Sequence, residues 1–311
     1  MKGKISIIGG GGRVGSSAAY ALQLGRIGDE VVLVDLDADA AQGEALDLTH
    51  GRAASGGPRF TSGDYNAVAG SDVVVVTAGL RRRPEESRLK LIERNAALFG
   101  EILRSVQGVE LAPEAILLVV TNPVDVLTYL AATDLGWPRK QTIGLGTMLD
   151  SLRFRSLLGE RLGVDPSQIE GIILGEHGDS MVPVVSQLRY DGKPISELPD
   201  YSDGAVQEAV QATLTAGAQC LRLKGGAGYA VGAAVRDVVA AILGDSDAVL
   251  PVSTVDDSGE FQGVALSRPT RLGRSGWRER LSIPLSEEEH RALLRSAEVL
   301  RETIAGLRAG A

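Results

Sequence analysis

Short, largely apolar runs alternate with helical patterns through the first half of this 311-residue chain. The runs, and the segments whose apolar residues recur at helical spacing, lie in chain order at residues 5–8, 14–24, 31–34, 39–49, 72–76, 88–105 and 116–120. Strands that are apolar along their whole length and are separated by helices pack into a parallel sheet covered on both faces. The alternation therefore predicts a doubly wound α/β fold for this half.

The second half follows a different pattern, which indicates a mixed α+β arrangement. Helical patterns recur here at residues 150–162 and 203–223. The stretch QLRYDGKPIS indicates a hairpin with Asp191 and Gly192 at its turn. Ser286, with Glu289 three residues later, is a capping-box pattern that opens a last helix to about residue 307.

Composition and charge exclude several classes of protein. Hydrophobic residues make up 44% and charged residues 23% of the chain, which is ordinary for a globular protein. The net charge of −8 disfavours nucleic-acid binding, which needs a broadly basic surface. The single cysteine, Cys220, rules out an intramolecular disulfide and a cysteine-rich metal site, and we expect no metal. Apolar runs of strand length and an N-terminal run too short for a signal peptide predict a cytoplasmic protein that does not bind membranes.

The stretch KISIIGGGGRVGSS joins the first strand to a helix through glycines. A helix N-terminus offers unpaired N–H groups and the positive end of a dipole, and glycines let the backbone approach a pyrophosphate. Two registers fit: Gly10, Gly12 and Gly15 match the GxGxxG pattern, whereas Gly9, Gly12 and Gly15 match a form one residue longer. We favour Gly9 as the first turn glycine because the strand ends at Ile8.

Asp35 ends the second strand, 20 residues after Gly15. A carboxylate there can hold both hydroxyls of an adenosine ribose and would repel a 2′-phosphate, so the cofactor is expected to be NAD rather than NADP. The alternative is a plain tight turn with a solvated Asp35. We interpret residues 1–145 as a dinucleotide-binding domain of the Rossmann type and residues 146–311 as a substrate domain.

Three histidines occur in the chain, and one of them lies in a glycine-flanked loop. His177 stands in GEHGDS after a strand, and histidine exchanges protons near neutral pH, which suits chemistry between an alcohol and a ketone. His50 and His290 are interpreted as structural, His50 because it is placed at a helix end.

Asp150 and Arg153 are three residues apart on a predicted helix and therefore share a face. A carboxylate beside an imidazole would orient it and stabilise its protonated form. An arginine there could hold a substrate carboxylate with two parallel hydrogen bonds. On spacing alone, a surface ion pair is the simpler interpretation.

These stretches together resemble the lactate/malate dehydrogenase family. The similar pieces follow the family order across nearly the whole chain: IIGGGGRVGSS, VDLDAD, SDVVVVTAG, SRLKLIERN, TNPVDVLTY, GLGTMLDSLRFR, ILGEHGDSMVPV, RLKGGAGYA and LGRSGWRERLSIPLSEEE. The glycine turn is similar to that of lactate dehydrogenase-like malate dehydrogenases, a subgroup that is often tetrameric.

The resemblance implies a role for each catalytic residue. His177 would be the acid/base, and Asp150 would keep it protonated for ketone reduction. Arg88 would polarise the substrate oxygen from a mobile loop, and Arg153 would hold the C1 carboxylate. Asn122 would hydrogen-bond the substrate or the nicotinamide region.

The resemblance also implies the cofactor site and the assembly. NAD would carry the hydride chemistry. The expected cofactor-binding residues are Gly9, Gly12, Gly15, Val14, Asp35, Thr77, Ala78, Gly79 and Asn95. A homo-oligomer is expected, with a tetramer favoured over a dimer.

The expected substrate rests on the loop before Arg88. Arg82, six residues earlier, falls where malate enzymes of the family carry arginine and lactate enzymes glutamine, and its guanidinium would need the second carboxylate of oxaloacetate. Ala227, where lactate enzymes usually have threonine, leaves room for a larger side chain. Glu86 departs from the malate pattern. We therefore expect a malate dehydrogenase of the tricarboxylic acid cycle, with a dicarboxylate substrate; the alternative is an L-lactate or broad 2-hydroxyacid dehydrogenase.

Two other classes of protein fit the sequence less well. An NAD-dependent glycosidase of related fold would need a metal held by cysteine and histidine, and Cys220 has no histidine nearby in the sequence. A non-catalytic NAD sensor would be expected to lack part of the catalytic set, all of which is present.

Overall fold

The computed structural model describes residues 1–81, 83 and 85–309. Its strands are β1 (Lys4–Ile8), β2 (Glu30–Val34), β3 (Arg59–Ser62), β4 (Val73–Val76), β5 (Ile116–Val119), β6 (Thr142–Gly144), β7 (Ile169–Glu170), β8 (Ile173–Leu174), β9 (Val182–Pro183), β10 (Arg189–Tyr190), β11 (Lys193–Pro194), β12 (Val249–Asp256), β13 (Val264–Gly273) and β14 (Gly276–Arg280). Its α-helices are α1 (Arg13–Gly25), α2 (Ala38–Ser55), α3 (Arg88–Gln107), α4 (Val124–Thr133), α5 (Met148–Leu162), α6 (Asp203–Lys224), α7 (Tyr229–Leu243) and α8 (Glu287–Ala309).

The main sheet confirms the predicted Rossmann-type fold. Its strand order is β14-β13-β12-β6-β5-β4-β1-β2-β3. The pairs from β3 to β6 are parallel, and their order, 3-2-1-4-5-6, is that of a dinucleotide-binding sheet. β12 then adds an antiparallel extension through the pairing of Ser253 with Gly144. The chain order reverses between β1 and β4, so a crevice for a ligand lies at the carboxyl ends of these two strands.

Alternating side chains of the parallel strands bury both faces of the sheet. Ile5 and Ile7 pack with α1, α2 and α7 on one face, whereas Val74 and Val76 pack with α3, α4 and α8 on the other. Because both faces are covered, the central strands β4 and β5 are apolar throughout, as the sequence indicated. The two faces fix the sheet rigidly beneath the loops at its carboxyl edge.

Several local predictions are confirmed in the second half. β10 and β11 form the expected hairpin, with Asp191 and Gly192 between them. At the start of α8, Ser286 Oγ accepts a hydrogen bond from Glu289 N, and Glu289 Oε2 accepts one from Ser286 N. These reciprocal bonds are the predicted capping box.

Two local predictions are wrong. The single strand expected before the His177 loop, in IEGIILGEHGDS, is instead two short strands, β7 and β8, because β7 pairs with β10 and β8 pairs with β9. α2 continues to Ser55, so His50 is an exposed residue inside the helix and not at its end.

The division into two domains near residue 145 and the tetrameric assembly stay predictions. Among the helices formed by residues 1–81, 83 and 85–309, none combines the length and the apolar character needed to cross a membrane.

Candidate functional site

The turn after β1 begins at Gly9, which has a positive φ of 89°. A Cβ on Gly9 would lie 2.6 Å from Ala78 N, and a Cβ on Gly15 would lie 2.2 Å from Gly9 O. These distances leave no room for side chains, so the turn, the end of β4 and the first turn of α1 pack backbone against backbone. Gly12 provides no side-chain cap for α1, which leaves the N–H groups of the first turn available to an anion.

Asp35 follows β2 and lies beside this turn. Its Oδ2 accepts a hydrogen bond from Gly11 N at 3.0 Å, and its Oδ1 accepts one from Asp37 N at 3.2 Å. The carboxylate is therefore fixed at the edge of the crevice. A glycine cradle, an uncapped helix N-terminus and a carboxylate at the end of the second strand fit the pyrophosphate and ribose of a dinucleotide.

The residues predicted around the cofactor surround the same crevice. Thr77 Oγ1 donates hydrogen bonds to the carbonyl oxygens of Ile8 and Gly9 at 3.0 and 3.1 Å, which joins the end of β4 to the turn. Gly79 follows Ala78 on this segment, and Val14 lies half-buried in the first turn of α1.

Asn95 is buried on α3 and bonds to the residue before the arginine-rich loop, the stretch 81–88 that contains four arginines. Its Oδ1 accepts a hydrogen bond from Leu80 N at 2.7 Å, and its Nδ2 donates to Leu80 O at 3.4 Å. The amide is thus bonded to the backbone directly after Gly79.

His177 and Asp150 come together as the sequence suggested. His177 Nδ1 lies 2.5 Å from Asp150 Oδ2, and Arg153 Nη1 donates to Asp150 Oδ1 at 3.1 Å. Asp150 is fully buried on α5, so this is not the surface ion pair that spacing alone allowed. Burial lowers the pKa of His177, but attraction and hydrogen bonding to Asp150 outweigh it and raise the pKa above its ordinary value. The pair can therefore hold a proton near neutral pH.

Arg88 reaches the same loop from the first turn of α3. Its Nη2 lies 3.5 Å from Glu176 Oε1, and its Nη1 lies 3.6 Å from Asp179 Oδ2. Arg88 itself is exposed, whereas Glu176 is buried and accepts a hydrogen bond from Ser180 Oγ at 2.5 Å. Four predicted residues, His177, Asp150, Arg153 and Arg88, are thus brought together by two helices and one loop.

Two further carboxylates lie in this region, and Asp125 is the one that was missed from the sequence. Asp125, in the first turn of α4, accepts a hydrogen bond from His177 N at 2.8 Å, and Glu176 precedes His177 in the chain. The signal for Asp125 was a charged residue in TNPVD, in the first turn of the helix that follows β5, at the carboxyl edge of the sheet that carries function.

The remaining predicted substrate residues are Asn122, Ala227 and Arg82. Asn122 follows β5, and its Oδ1 accepts from Val124 N at 3.4 Å. Ala227 is half-buried against the core beside α1, and Arg13 Nη1 donates to Gly226 O at 3.1 Å, which ties that loop to the glycine turn. Arg82 lies outside the described residues.

Glu86 adds negative charge to the arginine-rich loop. Its Oε1 accepts a hydrogen bond from Arg94 Nη1 at 2.7 Å, and its Oε2 accepts one from Arg83 N at 2.9 Å. The hydrogen bonds from Arg83 N and Arg94 lower the pKa of Glu86, so it is ionised at neutral pH.

Family models match the chain in two adjoining parts. Residues 3–144 match the NAD-binding domain of lactate/malate dehydrogenase, and residues 147–309 match the α/β C-terminal domain of the same family. With the geometry of the glycine turn and Asp35, the first match makes NAD the cofactor.

Individual relatives are similar over their full length. An L-lactate dehydrogenase of Synechococcus sp. (strain JA-3-3Ab) is 41% identical and aligns over 99% of this chain and 100% of its own length. An L-lactate dehydrogenase of Thermoanaerobacter sp. (strain X514) is 40% identical over 97% of this chain and 98% of its own. A solved lactate dehydrogenase from a Medee basin deep-sea metagenome library superposes with a TM-score of 0.93 at 31% identity and covers 99% of both chains.

The relatives contradict the predicted malate activity. The full-length relatives at about 40% identity described above carry the name L-lactate dehydrogenase, and a solved minor L-lactate dehydrogenase of Enterococcus mundtii also superposes, with a TM-score of 0.92 at 32% identity over 98% of both chains. The assignment from Arg82 and Ala227 to malate, oxaloacetate and the tricarboxylic acid cycle is therefore wrong. The lactate alternative is the better supported one.

Proposed function

The chain belongs to the lactate/malate dehydrogenase family and is an NAD-dependent oxidoreductase, and on that premise we propose that it interconverts pyruvate and L-lactate. The observation that carries the proposal is the buried His177–Asp150 pair in a chain whose full-length relatives are lactate dehydrogenases. A small 2-hydroxy acid is the substrate class of the family.

The cofactor is held at the carboxyl edge of the sheet in this proposal. The N–H groups at the start of α1 bind the pyrophosphate beside Gly9, Gly12 and Gly15, and Asp35 accepts hydrogen bonds from the ribose hydroxyls. The Thr77 hydroxyl donates a hydrogen bond to the turn and so holds the segment after β4 against it. NAD, when bound, supplies the hydride transfer chemistry of the reaction.

Proton transfer falls to His177. The protonated imidazole donates its proton to the oxygen of the 2-oxo acid during reduction, and the neutral imidazole accepts it during oxidation. Asp150 fixes the ring through Nδ1, which leaves Nε2 to face the substrate oxygen. Because the pKa of His177 is raised, the proton is present at neutral pH when reduction begins.

Two arginines bind and polarise the substrate. Arg153, held by Asp150, offers its fork of N–H groups to the C1 carboxylate. Arg88, at the start of α3, faces the His177 loop and stabilises negative charge that develops on the reacting oxygen. Asn122, which follows β5, forms a further hydrogen bond with the substrate or the nicotinamide region.

The charge of the loop supports a monocarboxylate. Glu86 is ionised and pairs with Arg94, so the loop is not a purely cationic surface for a second carboxylate. Pyruvate carries a methyl group at that position and has no second charge to place near Glu86.

Product analysis tests the proposal. The purified chain, incubated with NADH and pyruvate, should form lactate in amounts equal to the NADH consumed. His177→Ala is the matched control and should form none while it still binds NADH. Failure of the wild-type chain to form lactate would refute the proposed function.

A further inference from the structure

A second buried carboxylate lies behind His177, on the side of its backbone. Asp125 is 2% exposed and projects from the first turn of α4, and its Oδ2 accepts the N–H of His177 at 2.8 Å. Asp150 holds the ring of the same residue from α5. Carboxylates from two different helices therefore bond to His177, one at its backbone N–H and one at its ring.

The choice of a carboxylate at this position has a physical cost. A backbone N–H needs only an acceptor, and a neutral amide oxygen of the same size would supply one. A buried carboxylate is costly to ionise unless positive charge lies close to it. The nearby group that gains positive charge is His177 itself, so the charge of Asp125 is balanced when the imidazole is protonated.

Other charged groups face this pair from each packed element. They are Asp150 and Arg153 from α5, and Glu176 from the His177 loop. Burial raises the pKa of Asp125 to about 6. The neighbouring Ser253 hydroxyl and His177 act in the opposite direction, because they favour the ionised form of Asp125. Glu176 opposes ionisation of Asp125, and Arg153 opposes protonation of His177, because like charges repel.

We propose that Asp125 is a positioning residue for His177: its carboxylate fixes the backbone of the loop and supplies a second negative charge that keeps the imidazole protonated. The inference rests on the proposed acid/base role of His177. It assigns two carboxylates to one histidine, with Asp150 orienting the ring and Asp125 orienting the main chain.

The substitution Asp125→Asn separates the charge from the hydrogen bond, since the amide oxygen can still accept from His177 N. In the pH profile of kcat/KM for pyruvate reduction, the decrease at high pH should shift to lower pH by about one pH unit. This is the size expected for removal of one nearby charge. The activity plateau below that limb should stay close to the wild-type value. Asp125→Ala removes the acceptor as well and should lower the plateau too.

Glu289→Gln is a matched control. Glu289 is also a buried carboxylate that accepts backbone hydrogen bonds, from Ser186 N and Ser286 N, but it lies at the start of α8. This variant should lower the melting temperature and leave the pH profile unchanged. If Asp125→Asn behaves in the same way, Asp125 has only a structural role and the proposal is overturned.

A measurement on the wild-type chain keeps the test independent of substrate and of the folding of the Asp125 variants. The chain has three histidines, so the His177 ring signal can be assigned by NMR through its loss in His177→Ala. Its titration should contain a second inflection near the pKa of Asp125, about 6, because the two groups are coupled. A single inflection would overturn the proposal, whereas absent pyruvate reduction with two inflections would refute only the proposed function.

Discussion

Replacing Asp150 by asparagine should disable reduction by deprotonating His177. Asp150 is completely buried, so its charge acts on the imidazole, 2.5 Å away, without solvent screening. An opposite charge in contact raises the pKa of a histidine because it stabilises the protonated imidazole. Asp150→Asn removes this attraction but leaves the burial that lowers the pKa of His177.

The expected consequence is a loss of about 10- to 1000-fold in kcat/KM for pyruvate reduction at pH above the new pKa, because the protonated fraction of His177 falls in proportion. The loss should shrink as the pH is lowered, since the imidazole is then protonated without help. Initial rates of NADH oxidation across a pH series measure both effects.

The control for this substitution is Asp256→Asn, because Asp256 is a buried carboxylate paired with Arg268 and Arg280 instead of a histidine. It should change stability without moving the pH profile. A wild-type pH profile for Asp150→Asn would refute the reasoning that Asp150 maintains the proton on His177.

Three further substitutions probe the cofactor turn and the substrate clamp. Gly15→Ala places a methyl group 2.2 Å from Gly9 O, so it should lower the unfolding free energy by about 1–3 kcal/mol and weaken NADH binding. Denaturant unfolding and fluorescence titration measure these two effects. Gly43→Ala is the control, because open space surrounds its Cβ, and it should change neither quantity. Asp35→Asn removes the charge that repels a 2′-phosphate and should raise kcat/KM for NADPH relative to NADH by about tenfold in a steady-state comparison. Arg153→Lys loses the two-pronged contact with the C1 carboxylate and should raise KM for pyruvate by about 10- to 100-fold, with an unchanged KM contradicting that role.

The parallel sheet was predictable because its strands are buried on both faces and are therefore largely apolar. α4 was missed for a related reason: Val124–Thr133 is buried nearly all round, so it has no polar stripe that distinguishes a helix from a strand. The antiparallel strands β12 to β14 were also missed. β13 and β14 pair with their neighbours in the chain, and only β12 joins the parallel sheet, by pairing Ser253 with Gly144 more than one hundred residues away, so the attachment to the sheet leaves no local pattern.

The catalytic site was predictable because several residues act together in it. The substrate was not, because its prediction depended mainly on a single residue. His177, Asp150 and Arg153 each had a simpler explanation alone, and the resemblance joined them before the fold brought them together. The predicted substrate depended mainly on Arg82, and that argument gave the departure at Glu86 less weight than Arg82 and Ala227. Asp125 was missed because its partner is a backbone N–H, which any sequence contains at every residue except proline.

The specificity of the chain gives the most direct test of the account. Steady-state rates with pyruvate and with oxaloacetate, measured at one saturating NADH concentration, yield kcat/KM for both acids. The account predicts a higher kcat/KM for pyruvate, by at least about tenfold for a pocket that discriminates by charge. A higher kcat/KM for oxaloacetate would contradict it.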